Sequence, residues 1–358
     1  MRKLASIQKI ESIAPINGRD RIVLAVVEGW QVIVRKDEYR PGDLTVFVEP
    51  DAILPERPEF EFLRPKKFRI KTMKMAGVLS QGICFPLNIL PTRKGGYEIG
   101  DDVTDLLGIK KYDPYEEAPV ANTGKKRNPF RDFLFRHHYT RWLGKLIFGG
   151  TKRERCGYPD FVAKTDEERI QNLPSLLANK DVHYVGREKI DGTSGTFYLK
   201  RNGRRFEFGV CSRNMRLDIP DDSVYWAVAN KYNIRKALEA LIGDKEWVCI
   251  QGECISSKVQ GNKYKVSEPA LYCFNLIYPD GKVPCFEAER RVSELGLKWA
   301  PLVTADYVLP DNVNDVLTFA TGKSALVDGP REGIVFRNYE KGISFKAVSP
   351  DFLIQWDE

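Results

Sequence analysis

The chain has 358 residues, more than one hydrophobic core usually serves, so two domains are expected. A hydrophobic share of 42% beside 29% charged residues belongs to an ordinary globular chain and excludes disordered, collagenous and coiled-coil classes. The net charge is only +7, yet residues 122–155 hold ten Lys/Arg against Asp132 and Glu154, a local +8 suited to a polyanionic partner.

No apolar run approaches the ~18 residues needed to span a bilayer, and Gln8, Lys9 and Glu11 interrupt the opening segment, so neither signal peptide nor membrane span is expected. Seven cysteines without a CxxC pair, beside three histidines, read as reduced core thiols rather than a zinc or disulfide framework. The predicted compartment is the cytoplasm, with the nucleus also open.

Along residues 1–105, the runs LASIQKIESI, DRIVLAVV, WQVIVR and DLTVFVEP have strand lengths and are broken by Glu28-Gly29 and Arg40-Pro41-Gly42-Asp43. This spacing predicts a small OB-like β-barrel, an architecture that commonly binds oligonucleotides. A basic strand with Lys66, Lys67, Arg69, Lys71 and Lys74 follows and is suited to gripping a nucleic-acid phosphate backbone. Residues 106–160 read as a basic helical linker: Phe135, Tyr139, Trp142, Leu143 and Leu146 fall at helical spacing, and Arg131, His138, Arg141 and Lys145 share an adjacent face. Its Arg131, Arg141 and Lys145 either touch phosphates or are solvated charges on a packed linker; a membrane partner is not expected.

Residues 161–358 mix the strand-like runs TFYLK, RFEFGV, EWVCIQGECI, ALYCFNLI, GIVFRN and ISFKAV with helical stretches near 166–178, 222–242 and 286–296. Arg201-Asn202-Gly203-Arg204 is a hairpin signal. Hairpins outnumber any βαβ rhythm, so this unit is predicted to be antiparallel α+β.

The segment Glu188-Lys189-Ile190-Asp191-Gly192 places a lysine at the end of an apolar run, just before a turn, where an amine can face a pocket. Further on, Glu253, Glu332 and Lys346 are charges inside or opening otherwise apolar strands. In this order the residues resemble the covalent nucleotidyltransferases, the polynucleotide ligases and capping enzymes. Motif I is similar to Glu188–Gly192, motif Ia to Ser212-Arg213-Asn214, and motif III to Gln251-Gly252-Glu253. Motif IIIa lies around Phe274, motif IV at Glu332-Gly333-Ile334-Val335 and motif V around Lys346. The barrel-like unit comes first and the chain ends twelve residues past Lys346, so the chain looks most like the Deinococcus-type nick-sealing RNA ligases, whose amino-terminal domain is an OB-fold. Lys164–Asn172 is similar to a segment of those ligases too.

The resemblance implies that Lys189 attacks the α-phosphorus of ATP to form lysyl-AMP, passes AMP to an RNA 5′-phosphate, and so joins RNA ends or a nicked duplex. It implies catalytic roles for Lys189, Lys346 and Glu332, and ribose contacts from Arg213 and Glu253. Phe274 would stack on adenine with Glu188 at its edge, Asp191 and Gly192 would line the ATP site, and Arg169 would reach the triphosphate. Glu332, Asp191 and Glu253 would serve Mg²⁺ or Mn²⁺, hard cations in keeping with the scarcity of histidine. Residues 161–358 would contain the whole ATP site, and the protein would act as a monomer. Motif V in many relatives is a lysine pair spaced by one residue, where this chain has Ser344 and Lys346; either Lys341 supplies the second charge or one cation suffices. Two alternatives stay open: a nucleic-acid-binding protein with an unreactive transferase half, and a GTP-dependent guanylyltransferase.

Overall fold

A computed structural model describes residues 3–112, 157–217 and 223–356. Of these, residues 3–112, 166–191 and 300–356 form one compact unit, and residues 157–165, 192–217 and 223–299 a second. The basic segment with Arg131, Arg141 and Lys145 lies outside the described residues. Among the described residues no helix is long and apolar enough to cross a membrane, and the six cysteines are buried and unbridged.

The first unit opens with a five-stranded antiparallel sheet in the order Trp30–Arg35, Arg19–Val27, Ala5–Ile16, Leu44–Val48, Ile83–Phe85. Ala5–Ile16 pairs with Leu44–Val48 along its first half and with Arg19–Val27 along its second. A register shift between Ile10 and Ser12 marks a bulge there, the device that bends one strand into two sides of a curled sheet. Trp30, Val32 and Val34 alternate inward and pack with Ile10, Val27 and Phe47. The barrel-like expectation therefore holds.

The basic strand is shorter than expected. Pro58–Lys66 is a 3₁₀ stretch, Lys67 and Phe68 adopt positive φ, and the hairpin Thr72–Met75 with Val78–Gln81 begins only afterwards. Prolines at both ends of the stretch and the left-handed pair break the ladder, so of the five basic residues only Lys74 stands in a strand. Lys66, Lys67 and Lys74 are exposed, whereas Arg69 pairs with Asp51 at 3.5 Å and lies 3.6 Å over the Tyr112 ring.

A second antiparallel sheet of this unit runs Leu302–Val308, His183–Lys189, Gly333–Asn338, Ile343–Val348. One face carries Tyr184, Ile334, Phe336, Phe345 and Ala347, packed with Val313, Val316, Leu317 and Ala320 of the helix Val313–Ala320. Asn312 caps that helix by accepting the Asp315 N–H at 3.0 Å. The helix expected near 166–178 is instead two short 3₁₀ turns, Ile170–Asn172 and Pro174–Ala178, because Pro174 keeps Leu173 out of the helical region.

The second unit holds a sheet in the order Arg205–Cys211, Thr193–Asn202, Trp247–Ile255, Ala270–Tyr278, Gly281–Lys282, antiparallel throughout, with Lys298–Trp299 parallel to Ala270–Tyr278. Asn202 pairs with Arg205 around Gly203 at φ +60, the turn that Asn-Gly foretold. Val224–Lys231, Ile234–Leu241 and Cys285–Ser293 are its α-helices.

Phe336 is fully buried in the core of the second sheet, so Phe336→Ala should destabilise the first unit by about 3–5 kcal/mol. Phe62, 60% exposed, should cost under about 0.5 kcal/mol on truncation. Urea midpoints of the two variants check this, and equal midpoints would contradict the packing described.

Candidate active site

Lys189 ends its strand opposite Gly333, and alternation puts Arg187, Lys189, Val335 and Lys346 on the face away from the Phe336 core. Lys189 Nζ donates to Glu332 Oε1 at 2.5 Å, with the two side chains 25% and 12% exposed. Burial pushes the Glu332 carboxyl above its ordinary value; Lys189 and Lys346 pull it down and Asp191 pushes it further up. Its second oxygen, Oε2, is buried without a hydrogen-bond partner among the described residues. A Cβ at Gly333 would meet the Ala347 oxygen at 2.2 Å, so only glycine lets Glu332 enter the sheet beside Lys189.

Lys346 is half-buried, and its N–H donates to the Glu168 carbonyl at 2.8 Å. Glu167 accepts from Ser344 Oγ at 2.5 Å and from Arg337 Nη2 at 3.0 Å. Ser344 is thus engaged with a carboxylate. Lys341 is exposed in the turn of the hairpin, at the end away from Gly333 and two residues before the strand that carries Lys346. Arg169, 4% exposed, donates to Asp51 Oδ2 at 2.9 Å and lies 5.6 Å from the Trp30 ring.

Glu188 points to the opposite face from Lys189. Its carboxylate accepts from Ser324 Oγ at 2.5 Å and from the Ala325 N–H at 2.8 Å. The loop it holds is tied again by Arg331, which donates to the carbonyls of Ala320 at 2.8 Å and Phe319 at 2.7 Å at the carboxyl end of a helix. Ser324 and Arg331, neither singled out in the sequence, therefore support the loop that delivers Glu332. The odd-even alternation of Glu188 and Lys189 was the available signal for this.

In the second unit, Gly192 meets the strand Trp247–Ile255 so closely that a Cβ would stand 2.6 Å from the Cys254 oxygen and 2.9 Å from Glu253 Cγ. Glu253 accepts from Ser194 Oγ at 3.1 Å. Gln251, buried beside it, accepts from Asn275 at 2.8 Å and donates to the Ala163 carbonyl at 2.8 Å, fixing the register of its strand. Phe274 is the extra residue where the pairing of Gln251 with Asn275 steps to Gly252 with Cys273, a bulge of the kind that re-aims a side chain. Arg213 sits in a tight turn closed by the Ser212 N–H to the Met215 carbonyl at 2.9 Å.

An RNA ligase family profile matches residues 182–348, and an OB-fold domain profile matches residues 4–87. Comparison with curated proteins returns no match. Among solved structures, a Naegleria gruberi RNA ligase variant with ATP and Mn is 28% identical with a TM-score of 0.81, each chain covered over 100%. The Naegleria gruberi RNA ligase with PPi is 29% identical with a TM-score of 0.80, over 99% of this chain and 98% of that one. A variant with AMP and Mn gives 29% and 0.80 over 98% of both chains. The motif order, the antiparallel α+β domain behind a curled five-stranded sheet and full-length similarity converge: the chain carries an RNA ligase domain over residues 182–348, preceded by an OB-fold domain over residues 4–87.

Proposed function

We propose that the protein is an ATP-dependent RNA ligase that joins 3′-hydroxyl to 5′-phosphate RNA ends, nicks in duplexes included, and so serves RNA repair. The observation that carries this reading is the Lys189–Glu332 contact at a strand end, where a buried carboxylate of raised proton affinity touches the amine. Structures of similar ligases with ATP or AMP favour ATP over GTP.

A lysine is ordinarily protonated at neutral pH and must lose a proton before it can attack. Glu332 Oε1 is within reach to accept that proton. The neutral Lys189 Nζ forms a bond to the α-phosphorus as the bond to the bridging oxygen breaks and pyrophosphate leaves. An oxygen of the RNA 5′-phosphate then attacks the same phosphorus; the P–N bond breaks and Lys189 regains its proton. The 3′-hydroxyl finally attacks the 5′-phosphorus and AMP departs. Lys346, on the same sheet face as Lys189, neutralises charge on the α-phosphate oxygens.

The orphaned, buried Oε2 of Glu332 fits a hard divalent cation, and Asp191 is a second carboxylate whose charge reaches it. Among the described residues no group of three His, Cys, Asp or Glu would hold a metal unaided, in keeping with Mg²⁺ or Mn²⁺ shared with substrate phosphates. Added neutralisation at the α-phosphate is the chemistry that such an ion, held by Glu332 and Asp191, supplies when bound. Arg213, Glu253 and Phe274 carry nucleoside contacts on the strength of the resemblance. Residues 1–105 and the basic linker 106–160 grip the RNA, and residues 161–358 form the transferase domain.

Lys189→Ala and Lys189→Arg should each form no AMP adduct by intact mass, since guanidinium does not become neutral. A wild-type adduct level in either would overturn the assignment. Glu332 has a folded-state value above its ordinary one, so its ionised form costs stability above that value and the cost lapses as pH falls through it. Glu332→Gln should therefore melt no lower than wild type at pH 7 while adenylation falls about 10²–10³-fold. Normal adenylation, or a clearly lower melting point, would count against the role described. Replacing Arg131, Arg141 and Lys145 together should lower the salt slope of nicked-duplex binding by up to about three units. An unchanged slope would make the basic segment a linker only.

A further inference from the structure

Within the first unit, residues 167–172 touch two sheets at once. Toward Lys346, the Glu168 carbonyl accepts the Lys346 N–H at 2.8 Å, Arg169 and Lys346 form a parallel bridge, and Glu167 holds Ser344 and Arg337. Toward the amino-terminal sheet, the Gly29 N–H donates to the Gln171 carbonyl at 3.1 Å, and a Cβ at Gly29 would stand 2.8 Å from Gln171 Cα. Asn172 lies at the crossing. Its Oδ1 accepts from Trp30 Nε1 at 2.6 Å, and its Nδ2 donates to Glu49 Oε1 at 2.7 Å and to Glu168 Oε1 at 2.8 Å.

We propose that the amino-terminal domain sets the position of Lys346 through Asn172, and so supports lysine adenylation in addition to gripping RNA. The path runs from Trp30 and Glu49, through the Asn172 amide, to Glu168, whose own carbonyl pins the Lys346 backbone. Trp30 is fully buried, so its N–H is a fixed reference point rather than a mobile one. Two of the three bonds join the amide to a carboxylate, the charge-assisted class that is shorter and stronger than a neutral pair. A cation that must meet one phosphate oxygen is sensitive to displacement, and a shift of about 1 Å costs up to ~10²-fold in rate. A domain that only gripped RNA would need no such connection, and residues 161–358 alone would then adenylate at full rate. Asn172 is accordingly a positioning residue. The proposal rests on the reading that Lys346 meets the α-phosphate.

The test is single-turnover lysyl-AMP formation by the full chain at saturating ATP and Mn²⁺, recording the fraction that reacts separately from its rate constant. Asn172→Ala removes all three bonds, and Trp30→Phe removes the indole N–H while keeping a smaller ring in the core. Both should react to the wild-type extent, with rate constants lower by about 10-fold and about 3-fold. Lys346→Ala should be slower than either. Unchanged rate constants in both Asn172→Ala and Trp30→Phe, beside a slow Lys346→Ala, would overturn this proposal alone. So would a reduced reacting fraction with a normal rate constant, the mark of a merely structural role. A Lys346→Ala variant that reacts at the wild-type rate would overturn the assignment of Lys346 itself and this proposal with it.

Discussion

Everything in the proposed chemistry depends on a lysine amine held against a buried carboxylate at the end of two paired strands. Taking Glu332 out of water raises its proton affinity, and the nearby Lys189 and Lys346 are what keep the ionised form tolerable. That balance requires backbone closeness. Lys189 faces Gly333 across the ladder, and a side chain at Gly333 would strike the Ala347 carbonyl. The same sheet turns Tyr184, Phe336 and Phe345 inward on its other face, so hydrophobic packing on one side fixes the polar geometry on the other.

Support for the site comes from residues outside the Lys189–Glu332 pair. Glu188 and Arg331 tie the loop entering Glu332, Glu167 ties Ser344 and Arg337, and Asn172 joins the stretch behind Lys346 to the curled sheet. The second unit repeats the pattern on its own scale: Gln251 and Asn275 lock neighbouring strands, and a bulge at Phe274 sets that ring apart from the regular alternation. Buried polar groups are costly when unpaired, so their pairing selects one register among many.

Much of this was legible in the sequence, and the boundary of what was legible is physical. Strand runs such as GIVFRN and ISFKAV were readable because period-two alternation is local, and Asn202-Gly203 because turn chemistry is local. The lysine and its charged successors stood out because charges inside apolar strands are rare. The helix Val313–Ala320 was missed although Val313, Val316, Leu317 and Ala320 have helical spacing; its β-branched residues and short length hid it. Arg169 could be placed in the chain, but its bond to Asp51 could not, since that partner is remote in sequence.

The central claim is that the Lys189 amine becomes the carrier of AMP. The most direct measurement is peptide mapping by mass spectrometry of the wild-type protein after incubation with ATP and Mn²⁺. One AMP on the peptide bearing Lys189, lost in acid as a P–N bond requires and discharged by added pyrophosphate, is the result expected. AMP on any other residue, or ATP consumed during RNA joining with no covalent intermediate on Lys189, would contradict the account.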